Sequence, residues 1–325
     1  MGTKVDLSVI IPFYNEAKNI PIIFEELTRV LNDSGLSYEI LAIDDGSLDD
    51  SLSLLRQEAA KGKQVKVIRF RKNFGQTAAL SAGFDLAQGD IIVTMDGDLQ
   101  NDPVDIPALF SKTREGFDIV SGWRVKRHDP FFSRRLPSQI ANRMISWVTG
   151  VKLHDYGCTL KAFRREVVKN IRLYGELHRF IPAVASWMGV TISEIPVNHR
   201  ARKFGRSKYG ISRTIRVLLD LITVKFLLTY STRPIHVFGL WGILSGLAGF
   251  ALAGYLTIQR LFFAVPLSNR PILLLAILLI FIGIQFISMG LLGELQVRTY
   301  HESQGKPIYH IKEIIGQDDP PNFEK

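Results

Sequence analysis

The sequence predicts an α/β domain with a mostly parallel sheet, followed by a two-helix membrane hairpin. Between residues 7 and 95, short apolar runs alternate with amphipathic segments of helical length. Two later stretches, 235–258 and 271–293, contain no Asp, Glu, Lys or Arg. Each is long enough to cross about 30 Å of hydrocarbon as a helix. The alternation favours a sheet covered on both faces, and the apolar stretches favour an integral membrane protein.

The individual elements follow from the patterning in order. Runs of apolar residues predict strands, at 7–12, 38–43, 65–70, 91–95 and 119–121. Helical periodicity and capping residues predict the helices between them, at 19–31, 51–60 and 77–87, with a later helix at 134–149. Functional side chains of such a sheet are expected in the loops at the carboxyl ends of the strands.

The fourth strand leads into an acidic loop, Met-Asp-Gly-Asp-Leu-Gln at 95–100. Asp96 and Asp98 offer hard oxygen ligands, which suit Mg²⁺ or Mn²⁺ held jointly with substrate phosphates. An acidic turn containing Gly is also common without any metal. The triplet alone therefore leaves both interpretations open.

Two other strand ends carry polar side chains. Asp44 and Asp45 follow the second strand, where they could accept hydrogen bonds from a nucleoside or simply form a turn and a helix cap. Tyr14 and Glu16 follow the first strand, where the aromatic ring could stack on a base or pack internally. Carboxylates gathered at neighbouring strand ends repel one another unless a cation or hydrogen-bond donors are present. The three loops together favour a ligand site.

The ordered motifs resemble those of family 2 glycosyltransferases with the GT-A fold. They are VIIPFYNE at 9–16, DDGS at 44–47, NFG at 73–75, MDGDLQ at 95–100, SGWR at 121–124, DYGC at 155–158 and RKFGRSKY at 202–209. More narrowly, they are similar to the polyprenyl-phosphate hexose transferases, which include dolichyl-phosphate mannose synthases and bactoprenol glucosyltransferases. The resemblance covers residues 6–239.

The resemblance implies roles for the strand-end residues. Residues that match nucleoside-binding positions are Pro12, Tyr14, Glu16 and Asp45, with Asp44 beside them. Residues that match the metal and diphosphate positions are Asp96, Asp98 and Gln100. A divalent cation there would neutralise charge on the leaving diphosphate. Asp102 is not assigned to the metal, because the sequence Asn-Asp-Pro at 101–103 shifts this acid by one position from the family pattern.

A second group of residues is predicted to bind the acceptor or the phosphates. Its members are basic or hydroxyl residues at family positions, namely Arg124, Arg134, Ser138, Arg202 and Lys208. Without the motifs, solvated surface arginines would be the simpler interpretation. Asp155 is assigned to the catalytic group with Arg124, chiefly to shape the acceptor site, since a phosphate acceptor needs no strong base. Cys158 is expected to be a packed residue.

Charge distribution predicts the membrane topology. Lys and Arg are concentrated on the outer flanks of the two spans, at Arg213, Arg216, Lys225, Arg233, Arg298, Lys306 and Lys312, against Arg260 and Arg270 in the linker. The positive-inside rule then puts the large domain and both termini in the cytoplasm of a cell-membrane protein with two spans. The single cysteine agrees with a reducing compartment. The formal charge of +9 fits lipid or phosphate partners, and no nucleic acid is expected because no reading motif accompanies it.

The predicted organisation is a catalytic domain at 1–209, an amphipathic interfacial helix at 210–234, the hairpin at 235–293 and a polar tail at 294–325. The predicted reaction is inverting, metal-dependent transfer of a hexose, glucose from UDP-glucose, to polyprenyl phosphate. Alternatives are mannose transfer from GDP-mannose and a membrane-anchored nucleotide-sugar binder without turnover. A processive polysaccharide synthase would need a Gln-x-x-Arg-Trp motif and more spans. Homo-oligomers could form through the glycines of the first span, Gly239, Gly242, Gly246 and Gly249.

Overall fold

The structure is a computed structural model. It describes residues 4–125, 142–143, 145–146, 149–171, 173, 177–201, 235–263, 266–267, 271–303 and 308–316. Most of the helix expected at 134–149 and all of the interfacial helix expected at 210–234 lie outside these residues. The chain forms two compact units, Met1–Val224 with Pro307–Lys325, and Lys225–Lys306.

The first unit is built on an eight-stranded mixed sheet. The strands are β1 Leu7–Phe13, β2 Tyr38–Asp44, β3 Val65–Phe70, β4 Ile91–Thr94, β5 Ile119–Trp123, β6 Lys161–Arg164, β7 Ile192–Pro196 and β8 Ile311–Ile315. Their order in the sheet is β7-β5-β6-β4-β1-β2-β3-β8. Strand β1 pairs in parallel with β2 and β4, and β2 pairs in parallel with β3. These four strands form the parallel centre that the sequence predicts.

Six helices lie between strands of the sheet in the described part of this unit. They are α1 Ile20–Asp33, α2 Ser51–Lys61, α3 Gln76–Leu86, α4 Ile106–Arg114, α5 Arg165–Lys169 and α6 Ile181–Ala185, with 3₁₀ turns at Pro103–Asp105, Leu177–Phe180 and Ser186–Met188. Helix α1 shows why they pack: Ile20, Phe24 and Leu27 recur at helical spacing and are buried against the sheet. Pro21 lies in its first turn, where the missing N–H costs no hydrogen bond.

The two edges of the sheet differ from the sequence prediction. Strand β6 runs antiparallel between β4 and β5, and β8 pairs antiparallel with β3. The sequence interpretation contained neither strand, nor β7. Within the region 294–325, which the sequence predicts as a polar tail, 294–303 continues the second long helix and 311–315 forms β8. Strand β8 has only five residues, and its apolar residues do not alternate, so no local pattern in the sequence indicates its pairing at the sheet edge.

The second unit consists of two long helices, α7 Ile235–Phe263 and α8 Pro271–Ser303. Within them, Phe238–Phe263 and Pro271–Gly293 are long and apolar enough to cross a membrane. Only 17% and 11% of the residues in their most apolar windows are buried, so these helices differ from the buried core helix of a soluble protein. Large apolar side chains, such as Trp241, Phe250 and Phe281, are exposed instead.

The glycines of α7 pack within the hairpin. A Cβ atom on Gly242 would lie 2.7 Å from the carbonyl oxygen of Gly283, and one on Gly249 would lie 2.9 Å from that of Ala276. The two helices therefore approach closely along this face. The glycine face proposed for contacts between copies is thus used, at these two positions, for contacts between α7 and α8.

Candidate active site

Three strand-end loops meet beside the end of β1. Asp45 donates its backbone N–H to the carbonyl oxygen of Phe13 at 2.9 Å, and Met95 donates to that of Ile10 at 3.1 Å. A Cβ atom on Gly97 would lie 2.7 Å from the Phe13 ring. Only glycine permits this approach, so the acidic loop rests directly on the end of β1. The structure thus brings together the three loops that the sequence predicts to converge.

The acidic loop is held in an unusual backbone shape. Leu99 has a φ of +64° although it is not glycine, and its side chain is buried. Asn101 Oδ1 accepts the backbone N–H of Asp96 at 3.0 Å, and Asp98 Oδ1 accepts that of Gln100 at 3.1 Å. A strained backbone fixed by such contacts is frequent at ligand sites.

Asp96 lies in an environment that opposes its charge. Burial, together with the negative charge of Asp98, raises the pKa of Asp96 to about 6. Its Oδ1 accepts a hydrogen bond from Gln76 Nε2 at 2.7 Å. A cation bound at this point would relieve the repulsion, and the carboxylate and amide oxygens present are the ligands that Mg²⁺ and Mn²⁺ prefer.

The donor set fits a cation that is shared with a substrate. Within the described part of the chain, no group of three or more His, Cys, Asp or Glu could hold a metal ion alone. The loop contributes Asp96 and Asp98, with Gln100 adjacent. Mg²⁺ in particular is commonly held by one or two carboxylates plus substrate phosphates.

The carboxylate of Asp45 forms hydrogen bonds within the protein that the sequence does not indicate. Its two carboxylate oxygens accept the backbone N–H groups of Phe74 and Gly75, at 2.7 and 2.9 Å. Asp45 therefore links the end of β2 to the loop after β3. Asp44 is completely buried; its Oδ1 accepts the N–H of Ser47 at 3.1 Å, and its Oδ2 has no hydrogen-bond partner among the described residues.

The loop after β1 is fastened to the loop after β2. Asn15 donates its N–H to Ser47 Oγ at 3.1 Å, and its Oδ1 accepts the N–H of Leu48 at 2.8 Å. Glu16 donates its N–H to Ser51 Oγ at 2.9 Å. Pro12, Tyr14 and Glu16 are each half-buried on this side of the sheet. These contacts give the predicted nucleoside side a defined shape.

Arg124 and Asp155 form a bidentate ion pair behind the acidic loop. Arg124 Nε donates to Asp155 Oδ2 at 2.7 Å, and Nη2 donates to Oδ1 at 3.0 Å. Hydrogen bonding and the charge of Asp155 raise the pKa of Arg124 against the effect of its burial. Arg124 also lowers the pKa of Asp96 through its charge. The pair therefore places a fixed positive charge near the acidic loop.

Two residues near the acidic loop, Lys161 and His199, were not identified from the sequence. Buried Lys161 on β6 donates to the carbonyl oxygens of Tyr156 and Cys158, and its burial lowers its pKa. His199 forms an isolated antiparallel bridge with Asn101. Lysine is normally exposed, and a lone histidine carries no motif, so neither residue had a sequence signal.

The surroundings of Asp102 and Cys158 bear on what the sequence predicts for them. The carboxylate of Asp102 pairs with Arg200, with Oδ1 2.7 Å from Nη2, which agrees with leaving Asp102 out of the metal set. Cys158 is completely buried, and burial raises its pKa to about 11, which confirms a packed residue. The other predicted phosphate contacts lie outside the described residues: Arg134, Ser138, Arg202 and Lys208.

Solved structures share the fold at low sequence identity. Glucosyl-3-phosphoglycerate synthase from Mycobacterium tuberculosis, in complex with Mn²⁺ and uridine-diphosphate-glucose, aligns with a TM-score of 0.56 and 18% identity over 70% of this chain and 81% of that chain. Mannosyl-3-phosphoglycerate synthase from Rubrobacter xylanophilus aligns with a TM-score of 0.53 and 13% identity over 68% and 74%. The first unit therefore has the GT-A fold.

Sequence relatives are much closer. The chain is 41% identical to dodecaprenyl-phosphate galacturonate synthase from Rhizobium johnstonii over 96% of this chain and 94% of the relative. It is 38% identical to undecaprenyl-phosphate 4-deoxy-4-formamido-L-arabinose transferase from Klebsiella pneumoniae over 98% and 96%. Residues 8–172 match the family described as Glycosyl transferase family 2. The protein is a glycosyltransferase, and its chain belongs to glycosyl transferase family 2.

Proposed function

We propose that this enzyme transfers a sugar from a nucleoside diphosphate to a polyprenyl phosphate at the membrane surface. The observation that carries the proposal is the convergence of Asp96 and Asp98 with the loops that end β1 and β2. Both relatives named above act on polyprenyl phosphates by their names, and they align over nearly the whole chain. The acceptor class follows from these names together with the apolar hairpin.

In this reaction, Asp96, Asp98 and Gln100 would hold a divalent cation together with the donor diphosphate. The cation, when bound, supplies positive charge that stabilises the leaving nucleoside diphosphate. The half-buried residues Pro12 and Tyr14 lie on the nucleoside side, where the fastened loops after β1 and β2 form the wall. Pre-organised loops of this kind reduce the cost of ordering on binding.

Among the residues that the structure describes, Arg124 is well placed to bind a phosphate. Its guanidinium is oriented by Asp155 from one side, and it interacts electrostatically with Asp96. We assign it to the acceptor phosphate or the diphosphate, with Arg134, Ser138, Arg202 and Lys208 completing this region. Asp155 is then a positioning residue, because both of its oxygens already accept hydrogen bonds from Arg124.

The chemical step needs no general base. An alkyl phosphate has a second pKa of about 6, so its oxygen is already anionic at neutral pH. This oxygen attacks the anomeric carbon, the bond from that carbon to the diphosphate oxygen breaks, and the nucleoside diphosphate leaves. A single displacement of this kind inverts the anomeric configuration. The family resemblance also implies inversion. In the described part of the chain, we assign no side chain beside the acidic loop as a nucleophile that would form a covalent sugar–enzyme intermediate.

The chain connectivity supports a hairpin with both flanks on one side of the membrane. Strand β8 follows α8 in the sequence, yet it pairs with β3, which precedes α7. Both flanks of the hairpin are thus joined to one folded domain. The excess of Lys and Arg outside the spans favours the cytoplasm for that domain and for both termini. We keep the boundaries 1–209, 210–234, 235–293 and 294–325 as proposals, with β8 assigned to the catalytic domain.

The identity of the donor sugar is the most specific part of the proposal. UDP-glucose is the expectation from the motifs, and GDP-mannose is its alternative. The two relatives instead have galacturonate and 4-deoxy-4-formamido-L-arabinose in their names. We therefore extend the proposal to uridine-diphosphate sugars that carry a carboxylate or an amino-derived group.

The test is an incubation of the purified full chain with undecaprenyl phosphate and a panel of donors. UDP-glucose, UDP-galacturonate, UDP-4-deoxy-4-formamido-L-arabinose and GDP-mannose are each supplied with Mn²⁺, Mg²⁺ or EDTA, and sugar is followed in the lipid phase. We expect transfer that EDTA stops and that Asp98→Asn removes. Asp50→Asn is the matched control, because Asp50 is exposed in the loop after β2 and its side chain caps nothing.

Two results would overturn parts of this assignment. Full turnover in EDTA would contradict the proposal that the acidic loop holds a metal ion needed for transfer. Nucleotide-sugar binding without any lipid-linked product from the whole panel would favour a membrane-anchored binder.

A further inference from the structure

The segment that follows the membrane hairpin returns to the catalytic sheet. Strand β8 pairs antiparallel with β3, and the pairing is reinforced by Glu313. Its Oε1 accepts hydrogen bonds from Arg69 Nη1 at 2.9 Å and from Arg56 Nη2 at 2.8 Å. Residues 308–315 thereby cover an edge of the sheet that would otherwise expose unpaired backbone groups.

The loop at the carboxyl end of β3, residues 71–75, is called the donor loop below. Its inner side is set by the end of β2. Asp45 accepts the N–H groups of Phe74 and Gly75. Gly46 has a φ of +70°, and a Cβ atom there would lie 2.5 Å from the carbonyl carbon of Lys72. The donor loop therefore lies directly against the residues proposed to bind the nucleoside.

The outer side of the donor loop is set by the returning segment. Arg71 donates its N–H to the carbonyl oxygen of His310 at 3.1 Å. The imidazole ring of His310 lies 6.0 Å from the ring of Phe74, centroid to centroid. Within the donor loop itself, Lys72 places its Nζ 5.2 Å from the centroid of the same Phe74 ring. Backbone and ring contacts thus hold the donor loop from outside.

Tyr309 anchors this arrangement one residue earlier. Its ring stacks on Phe70 with centroids 5.4 Å apart and an angle of 11°. Its hydroxyl donates to Asp85 Oδ2 on α3 at 2.7 Å. Phe70 in turn meets the edge of Phe74 at 5.8 Å and 87°. An aromatic column therefore runs from the returning segment into the donor loop.

We propose that Tyr309 and His310 are positioning residues of the donor site, acting on the nucleoside through the donor loop. The proposal rests on the function proposed above. It predicts a selective effect, because the donor loop adjoins Asp45 and the nucleoside side. Loosening the loop should weaken nucleotide binding and leave lipid binding and the chemical step largely unchanged. A role limited to the stability of the sheet would instead lower the fraction of active enzyme without changing affinity.

The test compares the full-length wild type with His310→Ala, His310→Phe and Lys312→Ala. Binding of UDP and of GDP is measured by calorimetry in Mn²⁺, and KM for donor and for undecaprenyl phosphate is measured separately. His310→Ala should raise the Kd of the preferred nucleotide and the donor KM about three- to tenfold, with the acceptor KM and kcat within about twofold. His310→Phe keeps an aromatic ring beside Phe74 and should restore most of the affinity.

The control is Lys312→Ala, which changes an exposed side chain on β8, two residues after His310. It should match the wild type. If His310→Ala does not fold, Tyr309→Phe provides the measurement, since it keeps the ring that stacks on Phe70 and removes only the hydrogen bond to Asp85. It should then weaken nucleotide binding about two- to fivefold.

The outcomes separate this inference from the proposed function. Nucleotide affinity that is unchanged in folded His310→Ala, or in Tyr309→Phe where that variant stands in for it, overturns the inference alone. So does an equal loss of affinity in Lys312→Ala. A wild type that binds neither UDP nor GDP overturns the proposed function first, and this inference with it.

Discussion

The guanidinium of Arg124 and the carboxylate of Asp155 face each other with two hydrogen bonds, Nε to Oδ2 at 2.7 Å and Nη2 to Oδ1 at 3.0 Å. Asp155 has only 1% of its side chain exposed and also accepts the N–H of Gly157. This geometry leaves its carboxylate little freedom to take a proton from a substrate. It fixes the direction in which the arginine presents its charge.

Replacing Asp155 by Asn should therefore act through Arg124. Removing one charge of a buried pair is expected to cost about 3 kcal/mol in the free energy of unfolding. Misplacing the guanidinium should lower kcat by about 10- to 100-fold. The pH profile of kcat should keep its shape, because no proton passes through Asp155. We would measure all three quantities on the detergent-purified enzyme.

The comparison variant for this pair is Arg124→Lys. Lysine keeps the charge but loses the bidentate fork, so its kcat should also fall while the pH profile stays unchanged. An Asp155→Asn enzyme that lost the acidic limb of the profile would identify Asp155 as a general base instead.

Asp98 in the acidic loop and Asp102 just after it should respond differently to neutralisation. Asp102 is occupied by Arg200, with Oδ1 2.7 Å from Nη2, and this partly exposed pair contributes about 0.5–1 kcal/mol at most. Asp102→Asn should therefore leave the Mn²⁺ concentration for half-maximal activity unchanged. Asp98→Asn should instead remove Mn²⁺-dependent transfer over the whole titration, because it removes a proposed metal ligand. Titration of Mn²⁺ into the metal-free enzyme measures both, and loss of Mn²⁺-dependent transfer in Asp102→Asn would contradict the assignment.

The sequence was most informative where function depends on contiguous residues at strand ends. Asp44 ends β2 and Asp45 follows it, and Asp96 and Asp98 lie within four residues of the end of β4, so alternation of strands and helices was enough to bring them to one edge. The parallel pairing of β1 with both β2 and β4 confirmed that convergence.

The sequence was least informative where a contact joins distant segments. Asp45 looked like a nucleoside ligand, whereas its oxygens also hold Phe74 and Gly75. Strand β8 has five residues and acquires its partner β3 only through tertiary pairing. Lys161 is buried because two carbonyl groups and nearby acids offset the loss of water, a balance that no local pattern records.

The single cysteine provides a direct measure of packing in the site region. Cys158 is completely buried and its pKa is raised to about 11, mainly by burial. At pH 8 only about one thiol in a thousand is then ionised. Iodoacetamide should leave the native protein unlabelled at pH 8 and label it once in guanidinium chloride, as read by intact mass. Rapid labelling of the native protein would show that the core around β6 opens.

The hairpin should depend on close approach of its two helices. A Cβ atom on Gly283 would lie 2.7 Å from the carbonyl oxygen of Gly242 and 2.9 Å from the nitrogen of Gly246. Gly283→Leu should force the helices apart and destabilise the hairpin by about 1–3 kcal/mol. Gly254→Leu is the matched control, because no atom lies within 4 Å of its added Cβ. Thermal unfolding in detergent compares the two, and equal melting temperatures would show that the glycine contact does not hold α7 against α8.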